Sequence, residues 1–435
     1  MKRTTVLKSA AVLSVASLAL AACSSSSTSS ETTSAAATSA AASAAATAAA
    51  SPSAAASQAC TTTTLKLGTL LPQTGDLAFL GPPMFAGVKM AVDEINAAGG
   101  VNGAPVEEII GDSGDATTDI ASQTVDSQLS QGVSAIIGAA SSGVSLTVID
   151  KITSNGVLQM SPANTSPALT TYPDNGLYWR VAPSDALQGA VIANNAIDKG
   201  LTKMAAIARQ DAYGEGLLDA FVKNFTDAGG TVTSKLLYDP AATSFEAEVA
   251  EIKAGSPEGV VVIGFDESAK LMQEMIKQGV GPKDAQIYLV DGNTSATAYK
   301  DFPKGTMKGV IGTMPTGNSD LTAFNDSLKK VDPSLKDFTY GAQSYDAVMV
   351  LALAAMAGKC ADGPAMAAML PEVANAGGEK CTTFADCAKL LEAGTKVDFD
   401  GVTGPLDFNE FGDPKSATIS VNEFSDNTTF AEIDK

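Results

Sequence analysis

Short β-rich runs alternate with longer helical segments along the chain from Thr64 onward. The apolar residues of the helical segments recur with the period of an α-helix, as in Phe85, Val88, Val92 and Ile95 and in Leu217, Phe221 and Phe225. The pattern predicts strands over Leu65–Leu71, Pro105–Ile110, Ala135–Ile137, Val157–Met160, Met204–Ile207, Val232–Leu237, Val260–Ile263, Ile287–Val290 and Val310–Thr313. Repeated βα units of this kind predict an α/β fold with mostly parallel sheets and helices on both faces.

The predicted βα units form two successive blocks, Thr64–Ala182 and Pro183–Thr313, which we interpret as two lobes. We expect the chain to cross between them at residues 180–185. The helices near Leu321–Val331 and Tyr340–Gly358 are expected to return to the first lobe, and strand-like runs after residue 401 to complete the second. The predicted lobes are therefore 60–182 with 314–400, and 183–313 with 401–435.

The N-terminal segment has a basic start at Lys2, Arg3 and Lys8 and an apolar run that ends just before Cys23. This architecture predicts an export signal over residues 1–22. Small residues before a cysteine resemble the lipobox of bacterial lipoproteins, which predicts lipid on Cys23 and anchorage to the outer face of the cell membrane. The alternative is an ordinary signal peptide with an incidental cysteine. The Ser/Ala/Thr-rich stretch that completes residues 23–59 cannot bury a core and is predicted to be a disordered leash.

Charge and histidine content exclude several classes of function. The formal net charge is −20, which argues against a nucleic-acid partner because phosphate binding depends on Lys and Arg. The chain contains 0 histidines, which removes Ser-His-Asp and Cys-His catalysis and most zinc sites. An enzyme could still use carboxylates, Lys or Tyr, but we expect a protein that is not an enzyme, with no cofactor and no metal.

With Cys23 assigned to lipid, an even number of cysteines remains, which is typical of an oxidising compartment. Cys381 and Cys387 enclose a short polar loop, so a disulfide between them is predicted first, and Cys60 is left with Cys360. The alternative is a zinc site, but the spacing is not C-x2-C and histidine is missing.

Candidate chemistry follows the predicted strands directly, where open α/β sheets bind ligands beside helix N-termini. Two adjacent loops, Gly138–Gly143 and Ser161–Ser166, present hydroxyls and backbone N–H groups that a carboxylate could bind. Ordinary helix capping is the alternative, although it needs only one Ser or Thr per loop. Ala139–Gly143 also approaches a G-x-S-x-G nucleophile elbow, but without histidine it has no base.

The second block has three comparable loops, Asp211–Gly216, Gly264–Asp266 and Asp291–Asn293. They would place an aromatic ring, an apolar ring and an acid opposite the hydroxyls of the first lobe. Asp291 is either a simple turn residue or the partner of a cation, and its place at a strand end favours the cation. Asp112–Asp115 lacks the spacing of a calcium loop and is interpreted as a strand-end turn before a helix that starts near Thr117.

Four segments together resemble the branched-chain amino acid ABC transporter substrate-binding family, the Leu/Ile/Val-binding type I periplasmic binding proteins. The segments are Leu70–Gly75, Asp93–Gly100, Ser161–Thr165 and Asp211–Gly216. The resemblance extends over Leu65 to Glu432. It implies two Rossmann-like lobes joined by three crossovers, which close on a ligand.

The resemblance also implies roles for individual residues. The family's α-carboxylate site falls on Ser142, Ala163 and Thr165, and its ammonium acceptor, commonly Glu, falls on Asp291. That acid is shorter here and allows an amide or another amine-bearing ligand as an alternative.

The remaining family positions surround the side chain of the ligand. Tyr213 matches the aromatic that closes from the second lobe, and Phe265 and Tyr340 match pocket positions. Leu80 replaces the aromatic expected in the first loop. The resemblance therefore implies a receptor that delivers an amino acid to a permease powered by a separate ATPase. A solute sensor of the same fold is the alternative.

Overall fold

The computed structural model describes residues 60–316 and 320–433. The predicted signal segment, Cys23 and the leash lie outside these residues. The strands are β1 (Lys66–Leu70), β2 (Glu107–Ile109), β3 (Ala135–Gly138), β4 (Leu158–Ser161), β5 (Tyr178–Arg180), β6 (Lys203–Arg209), β7 (Thr231–Tyr238), β8 (Gly259–Ile263), β9 (Gln286–Leu289), β10 (Ile311–Thr316), β11 (Glu379–Cys381), β12 (Val397–Gly401), β13 (Gly404–Pro405), β14 (Thr418–Asp426) and β15 (Thr429–Glu432). The helices are α1 (Gly81–Ala97), α2 (Ile120–Ser130), α3 (Ser142–Ser154), α4 (Asp185–Asp198), α5 (Ala212–Asp227), α6 (Glu246–Ala254), α7 (Ser268–Gln278), α8 (Thr322–Val331), α9 (Gly341–Gly358), α10 (Gly363–Ala374) and α11 (Phe384–Glu392).

Two main sheets organise the described chain. The first has 5 strands in the order β2-β1-β3-β4-β5, all parallel. The second has 7 strands in the order β15-β14-β10-β9-β8-β6-β7, in which only β14 and β15 run antiparallel to their neighbours. The central strands consist almost entirely of buried apolar residues, as in β8, where all five positions are buried. Such runs are typical of parallel sheets covered on both faces.

The chain passes from one sheet to the other after β5, after β10 and before β14. Helices α8 and α9 pack on α1, next to the first sheet, and β14 pairs with β10 in the second. Residues just after 401 contact the first sheet before the chain reaches β14 in the second. Phe408 packs edge-on against Trp179 of β5, with the ring centroids 5.2 Å apart. The division of the lobes at residues 182, 313 and 400 stays a prediction.

Helix α9 is the central helix of the first lobe. Residues 341–355 of α9 are all buried. The stretch from Ala347 to Ala355 is apolar throughout, which is typical of a helix surrounded by protein, whereas the buried carboxylate of Asp346 accepts from the N–H groups of Val402 and Thr403, at 2.9 and 2.8 Å. No single helix of the described chain is long and apolar enough to span a membrane, although the bent pair α9 and α10 together meets the criterion of length and composition.

Both predicted disulfides are present in the structure. Cys60 is bonded to Cys360, with their Cα atoms 5.7 Å apart, and Cys381 is bonded to Cys387. The first bond fastens the start of the folded chain to the end of α9, and Thr61 strengthens this contact by donating its backbone N–H and its hydroxyl to Asp362, both at 2.7 Å.

Some predicted boundaries were wrong. The helix expected near Thr117 begins at Ile120, because Thr118 closes a turn onto the carbonyl of Asp115 with both its N–H and its hydroxyl. The strand β5, the helices α10 and α11 and a small 3-stranded sheet, β11-β12-β13, were not predicted. These strands have two to five residues, too few for periodicity to register.

A buried ion pair holds the first crossing in place. Arg180, at the end of β5, is 0% exposed and donates from Nε and Nη2 to the two carboxylate oxygens of Asp413, at 2.6 and 2.9 Å. Its Nη1 donates to the carbonyls of Asn164, at 3.4 Å, and Ser166, at 2.9 Å. The same side chain therefore fixes the crossing, the returning segment before β14 and the loop after β4.

We expect Arg180→Met to lower the free energy of unfolding by about 3–5 kcal/mol, because it leaves the buried carboxylate of Asp413 without its cation and with the hydroxyl of Thr170, at 2.7 Å, as its remaining side-chain donor. Adding Asp413→Leu should recover part of the loss. Urea unfolding at pH 7 measures both variants. The matched control is Lys389→Met, which removes an exposed pair with Asp386 and should cost at most about 1 kcal/mol. An Arg180→Met variant no less stable than this control would contradict the role of the ion pair.

Candidate functional site

The first wall of the site consists of the loops that follow β3 and β4. The Ser161 hydroxyl donates to the carbonyl of Ala139 at 2.7 Å and accepts from the N–H groups of Ala163 and Asn164. The Asn164 amide donates to the carbonyl of Ala140 at 2.9 Å. Side-chain hydrogen bonds thus connect the loop after β3 with the loop after β4. They hold Ser142, Ala163 and Thr165 together beside the N-terminus of α3.

Ser141 and Ser142 have different roles in this wall. Ser141 is the N-cap of α3, and its side chain accepts from the N–H of Val144 at 3.4 Å. The Ser142 hydroxyl oxygen instead accepts from the N–H groups of Thr165, at 3.3 Å, and Ser166, at 3.2 Å. Since that oxygen is engaged as an acceptor, the hydroxyl proton of Ser142 is available for a ligand.

The opposite wall carries a buried acid held by two phenols. Asp291, which follows β9, is 5% exposed. Its Oδ1 accepts from Tyr213 at 2.9 Å and its Oδ2 from Tyr340 at 2.7 Å. Burial raises the pKa of Asp291 above its usual value, and hydrogen bonds from Tyr340, Tyr213 and Gln188 oppose that rise. Burial and then the charge of Asp291 raise the pKa of both tyrosines well above 10.0, so both phenols remain donors.

Backbone geometry brings these groups together. Gly292 approaches the neighbouring loop so closely that a Cβ there would lie 2.7 Å from the carbonyl oxygen of Gly264. Tyr340 has φ +62° directly before α9, a left-handed conformation that costs a non-glycine residue roughly 1–2 kcal/mol. Strained residues of this kind concentrate at functional sites, and here the conformation accompanies the bond from the phenol to Asp291.

A stack of charged and aromatic groups supports Tyr213. The centroids of the Tyr213 and Phe265 rings are 5.4 Å apart, and the rings are nearly parallel. The guanidinium of Arg209 lies over the ring of Phe265, 3.6 Å from its centroid. Arg209 is held by ion pairs with Asp211, at 2.6 Å, and Glu267, at 2.9 Å. The charge of Arg209 is therefore neutralised by these two carboxylates, and Arg209 is not available as a free cation to bind a ligand.

These groups enclose a cavity between the two lobes. Among its lining residues are all eight predicted ligand-binding residues: Leu80, Ser142, Ala163, Thr165, Tyr213, Phe265, Asp291 and Tyr340. About 10 Å³ is open to the centre of a water molecule, which is room for about one water. The structure thus brings the predicted residues together in a contracted, closed arrangement, and their contact with a ligand stays a prediction.

Sequence reasoning missed several residues of the site. Leu77 lines the cavity and was not predicted, whereas Ala140, Ser141 and Gly292 also line it and lie within the predicted loops, although none was singled out. Arg209 and Glu267, which support Tyr213 and Phe265, were not predicted, because their roles depend on contacts between distant segments. The one available signal was the position of Arg209 at a strand end, two residues before Asp211.

Acidic residues of both lobes meet at the mouth of the cleft. The N–H of Asp76 donates to Asp115 at 3.1 Å, and the N–H of Asp266 lies 3.4 Å from the carbonyl of Asp76. Burial, and then the charges of Glu267, Asp76 and Asp337, raise the pKa of Asp266 to about 6. Asp112 behaves differently, because hydrogen bonds from Thr74, Gly114 and Gln73 outweigh its burial and lower its pKa. It orders the loop after β1, as expected of a strand-end turn.

With this geometry established, comparison with known proteins identifies the family. The model of the family described as "Periplasmic binding protein" matches residues 64–415. The chain belongs to the periplasmic binding protein family. Membership implies a location outside the cytoplasm and a binding protein as the general class. It also confirms the resemblance drawn from the four sequence segments.

Individual relatives agree with this assignment. The leucine-, isoleucine-, valine-, threonine- and alanine-binding protein of Pseudomonas aeruginosa is 27% identical over 381 residues, or 85% of this chain and 92% of its own. The Streptococcus pneumoniae branched-chain amino acid transporter substrate-binding protein LivJ, solved with isoleucine, has a TM-score of 0.69 at 23% identity and covers 84% of this chain and 97% of its own. The R. palustris ABC transporter solute-binding protein solved with benzoate has a TM-score of 0.68 at 18% identity and covers 85% of this chain and 95% of its own. The predicted fold, two Rossmann-like lobes of the type I periplasmic binding proteins, is confirmed.

We expect the acids at the cleft mouth to make stability depend on pH. The folded pKa of Asp266, about 6, lies above its unfolded value near 3.8, so its contribution is full below pH 3.8 and is lost as the pH rises through 6. Lowering the pH from 7 to 5 should therefore raise the free energy of unfolding by up to about 1 kcal/mol more in the wild type than in Asp266→Asn, after allowance for solvent screening.

Urea unfolding at the two pH values measures this difference. The control is Asp301→Asn, which removes an exposed charge outside the cluster and should change stability equally at both pH values. Equal pH dependence in the wild type and Asp266→Asn would show that this carboxyl does not titrate in the window.

Proposed function

We propose that this protein is the extracytoplasmic solute-binding component of an ABC importer and that its solute is an amino acid. The observation that carries the proposal is the convergence of hydroxyl and N–H donors from one lobe and a buried acid from the other on a single cavity. A zwitterion presents the complementary groups, a carboxylate and an ammonium, at one carbon. The apolar lining residues Leu77, Leu80 and Phe265 would then contact its side chain.

The carboxylate and the ammonium of the amino acid would bind through different interactions. Its carboxylate would dock at the N-terminus of α3, where backbone N–H groups and the helix dipole favour an anion, with the hydroxyl of Ser142 and Thr165 as further donors. Its ammonium would bind Asp291, a carboxylate already removed from water and therefore a strong partner for a cation. Closure by hinge motion would bring the two walls onto the ligand.

The proposal also includes an anchor to the membrane and two transport partners, which involve residues outside the described part of the chain. Lipid on Cys23 and a leash up to residue 59 would hold the protein at the outer face of the membrane, close to a permease. Since the sequence has no Walker A glycine-lysine loop, a separate ATPase would supply the energy. The protein itself would carry out no reaction, in keeping with its lack of histidine.

One observation favours a second candidate solute. Both oxygens of Asp291 already accept from Tyr213 and Tyr340, so the acid has partners without an ammonium. A solute that lacks an ammonium, such as an amide, urea or an aromatic carboxylate, is therefore the alternative, and benzoate in the R. palustris neighbour is an example. A sensor that feeds no permease would bind in the same way and differ only in its partners.

A thermal-shift screen of residues 60–435 distinguishes these solutes. The panel is the twenty amino acids, short amides, urea, putrescine and benzoate, applied to protein unfolded and refolded to remove carried-over ligand. A solute at a hundred times its Kd adds about 2.7 kcal/mol, roughly a few degrees in Tm. Shifts confined to amino acids support the proposal, and a shift with benzoate or urea alone contradicts it.

We expect Asp291→Asn to weaken binding of the amino acid that gives the largest shift by about 2–5 kcal/mol, because it removes the buried partner of the ammonium. Thr165→Ala and Ser142→Ala should each cost about 1.5–3 kcal/mol, as hydrogen bonds to a charged group. Isothermal titration calorimetry measures these affinities. Ser154→Ala, at the exposed end of α3, is the control and should leave affinity unchanged. Wild-type affinity in Asp291→Asn would refute the ammonium site.

A further inference from the structure

A second cavity adjoins the ligand site at the side chain of Tyr340. About 320 Å³ of it is open to the centre of a water molecule, compared with about 10 Å³ in the cavity that holds the predicted ligand-binding residues. Small-molecule sites in proteins have volumes of about 300–1,000 Å³, so the second cavity, which we call the hinge cavity, is large enough to be one. Its lining residues include Met314, Asn325, Phe338, Tyr340, Gln343 and Phe430.

The hinge cavity lies between the second sheet and helices that pack beside the first. Met314 is in β10 and Phe430 is in β15 of the second sheet, whereas Asn325 is in α8, which packs on α1. The side-chain amide of Gln343, in α9, donates to the carbonyl of Pro315, in β10, at 3.3 Å. Elements that a hinge motion would separate therefore bound this cavity, as they bound the ligand cavity.

Tyr340 separates the two cavities. Among the described residues it is the one that lines both. Its side chain is buried, and its hydroxyl donates to Asp291 at 2.7 Å. Its backbone lies inside a turn that is closed by the N–H of Gly341, which donates to the carbonyl of Phe338 at 3.0 Å. Because the Tyr340 ring forms part of the wall of each cavity, moving this single side chain would connect them.

The lining of the hinge cavity suits an apolar group. Met314, Phe338 and Phe430 contribute apolar side chains. Its charged lining residues are Lys336, which is exposed, and Asp337, so the described lining has no net formal charge. A charged group moved here from water would lose hydration without a matched partner, whereas an alkyl or aryl group would gain free energy from burial.

The ligand cavity itself is too small for the side chain of an amino acid, because it has room for about one water. A zwitterion held by Ser142, Thr165 and Asp291 must therefore displace part of the wall. Tyr340 is the part of the wall whose bond to Asp291 the ammonium of the solute would replace. A side chain that passes the displaced ring would enter the hinge cavity.

We propose that the hinge cavity is the site for the side chain of the solute: the ammonium takes over the contact with Asp291, the ring of Tyr340 turns aside, and the side chain extends past it toward Met314 and Phe430. The inference rests on the proposed function and adds the class of solute. The solutes are amino acids with long apolar side chains, linear or aromatic.

A homologous series tests the inference in the wild-type protein without any variant. The probes are L-2-aminobutyrate, L-norvaline, L-norleucine, L-2-aminoheptanoate and L-2-aminooctanoate, which present the same zwitterion and differ by one methylene each. Isothermal titration calorimetry, on protein freed of carried-over ligand, should show affinity that rises roughly three- to fourfold per methylene to the end of the series. A side chain confined to the ligand cavity would instead lose affinity beyond L-norleucine.

The variant that tests the cavity is Asn325→Phe, which fills it from α8. It should weaken binding of L-2-aminooctanoate by roughly 10- to 60-fold, the gain from two or three buried methylenes, and leave L-norvaline within about twofold of the wild type. The matched control is Ala323→Phe, which adds the same ring on α8 at an exposed position outside the lining and should leave the whole series unchanged.

The outcomes separate the inference from the proposed function. If members of the series bind but affinity peaks at L-norleucine or a shorter member, the inference is wrong and the function stands. The same holds if Asn325→Phe weakens all members equally or behaves like Ala323→Phe. If neither the series nor any of the twenty amino acids binds the wild-type protein, both the function and the inference are wrong.

Discussion

The buried ion pair between Arg180 and Asp413 is the constraint on which the ligand site depends. A guanidinium that is 0% exposed must have its donors satisfied, and here they reach a carboxylate, a hydroxyl and two backbone carbonyls. Those carbonyls belong to Asn164 and Ser166, on either side of the predicted ligand-binding residue Thr165. The geometry of the donor loop is therefore set by the same contact that joins the first crossing to the segment returning before β14, which couples the site to the hinge.

The second lobe repeats this arrangement with Arg209. Its charge is shared by Asp211 and Glu267, and its guanidinium supports the stack of Phe265 and Tyr213. Each wall is thus supported by one buried arginine, and the charge of that arginine is neutralised by carboxylates of the protein. What remains in the cavity is neutral donors on one side and the carboxylate of Asp291 on the other, and a polarity of this kind would give orientation to a dipolar solute as well as affinity.

Much of the fold could be predicted from sequence because its determinants are local. Apolar runs located the central strands, and the rule that ligands bind at the carboxyl ends of parallel strands led from those strands to Ser142, Thr165 and Asp291. The family resemblance supplied Leu80 and Tyr340, which no local pattern indicates. The supporting contacts could not be predicted, because Arg180 and its partner are 233 residues apart and nothing in the local pattern pairs them. Asp185 was interpreted only as part of the crossing, since its complete burial is a property of the folded chain.

The bond from Tyr340 to Asp291 bears on how a solute closes the lobes. Tyr340 precedes α9, which packs on α1 of the first lobe, whereas Asp291 follows β9 of the second sheet. This bond therefore stabilises the closed arrangement even without a solute. A ligand shifts the balance between open and closed forms only by the contacts that it makes better in one of them. A proposed ammonium would consequently have to offer Asp291 more than the phenol does. Both bonds are charge-assisted because the acceptor is a carboxylate, but only the ammonium would add a full positive charge beside a buried acid, which a neutral amide lacks.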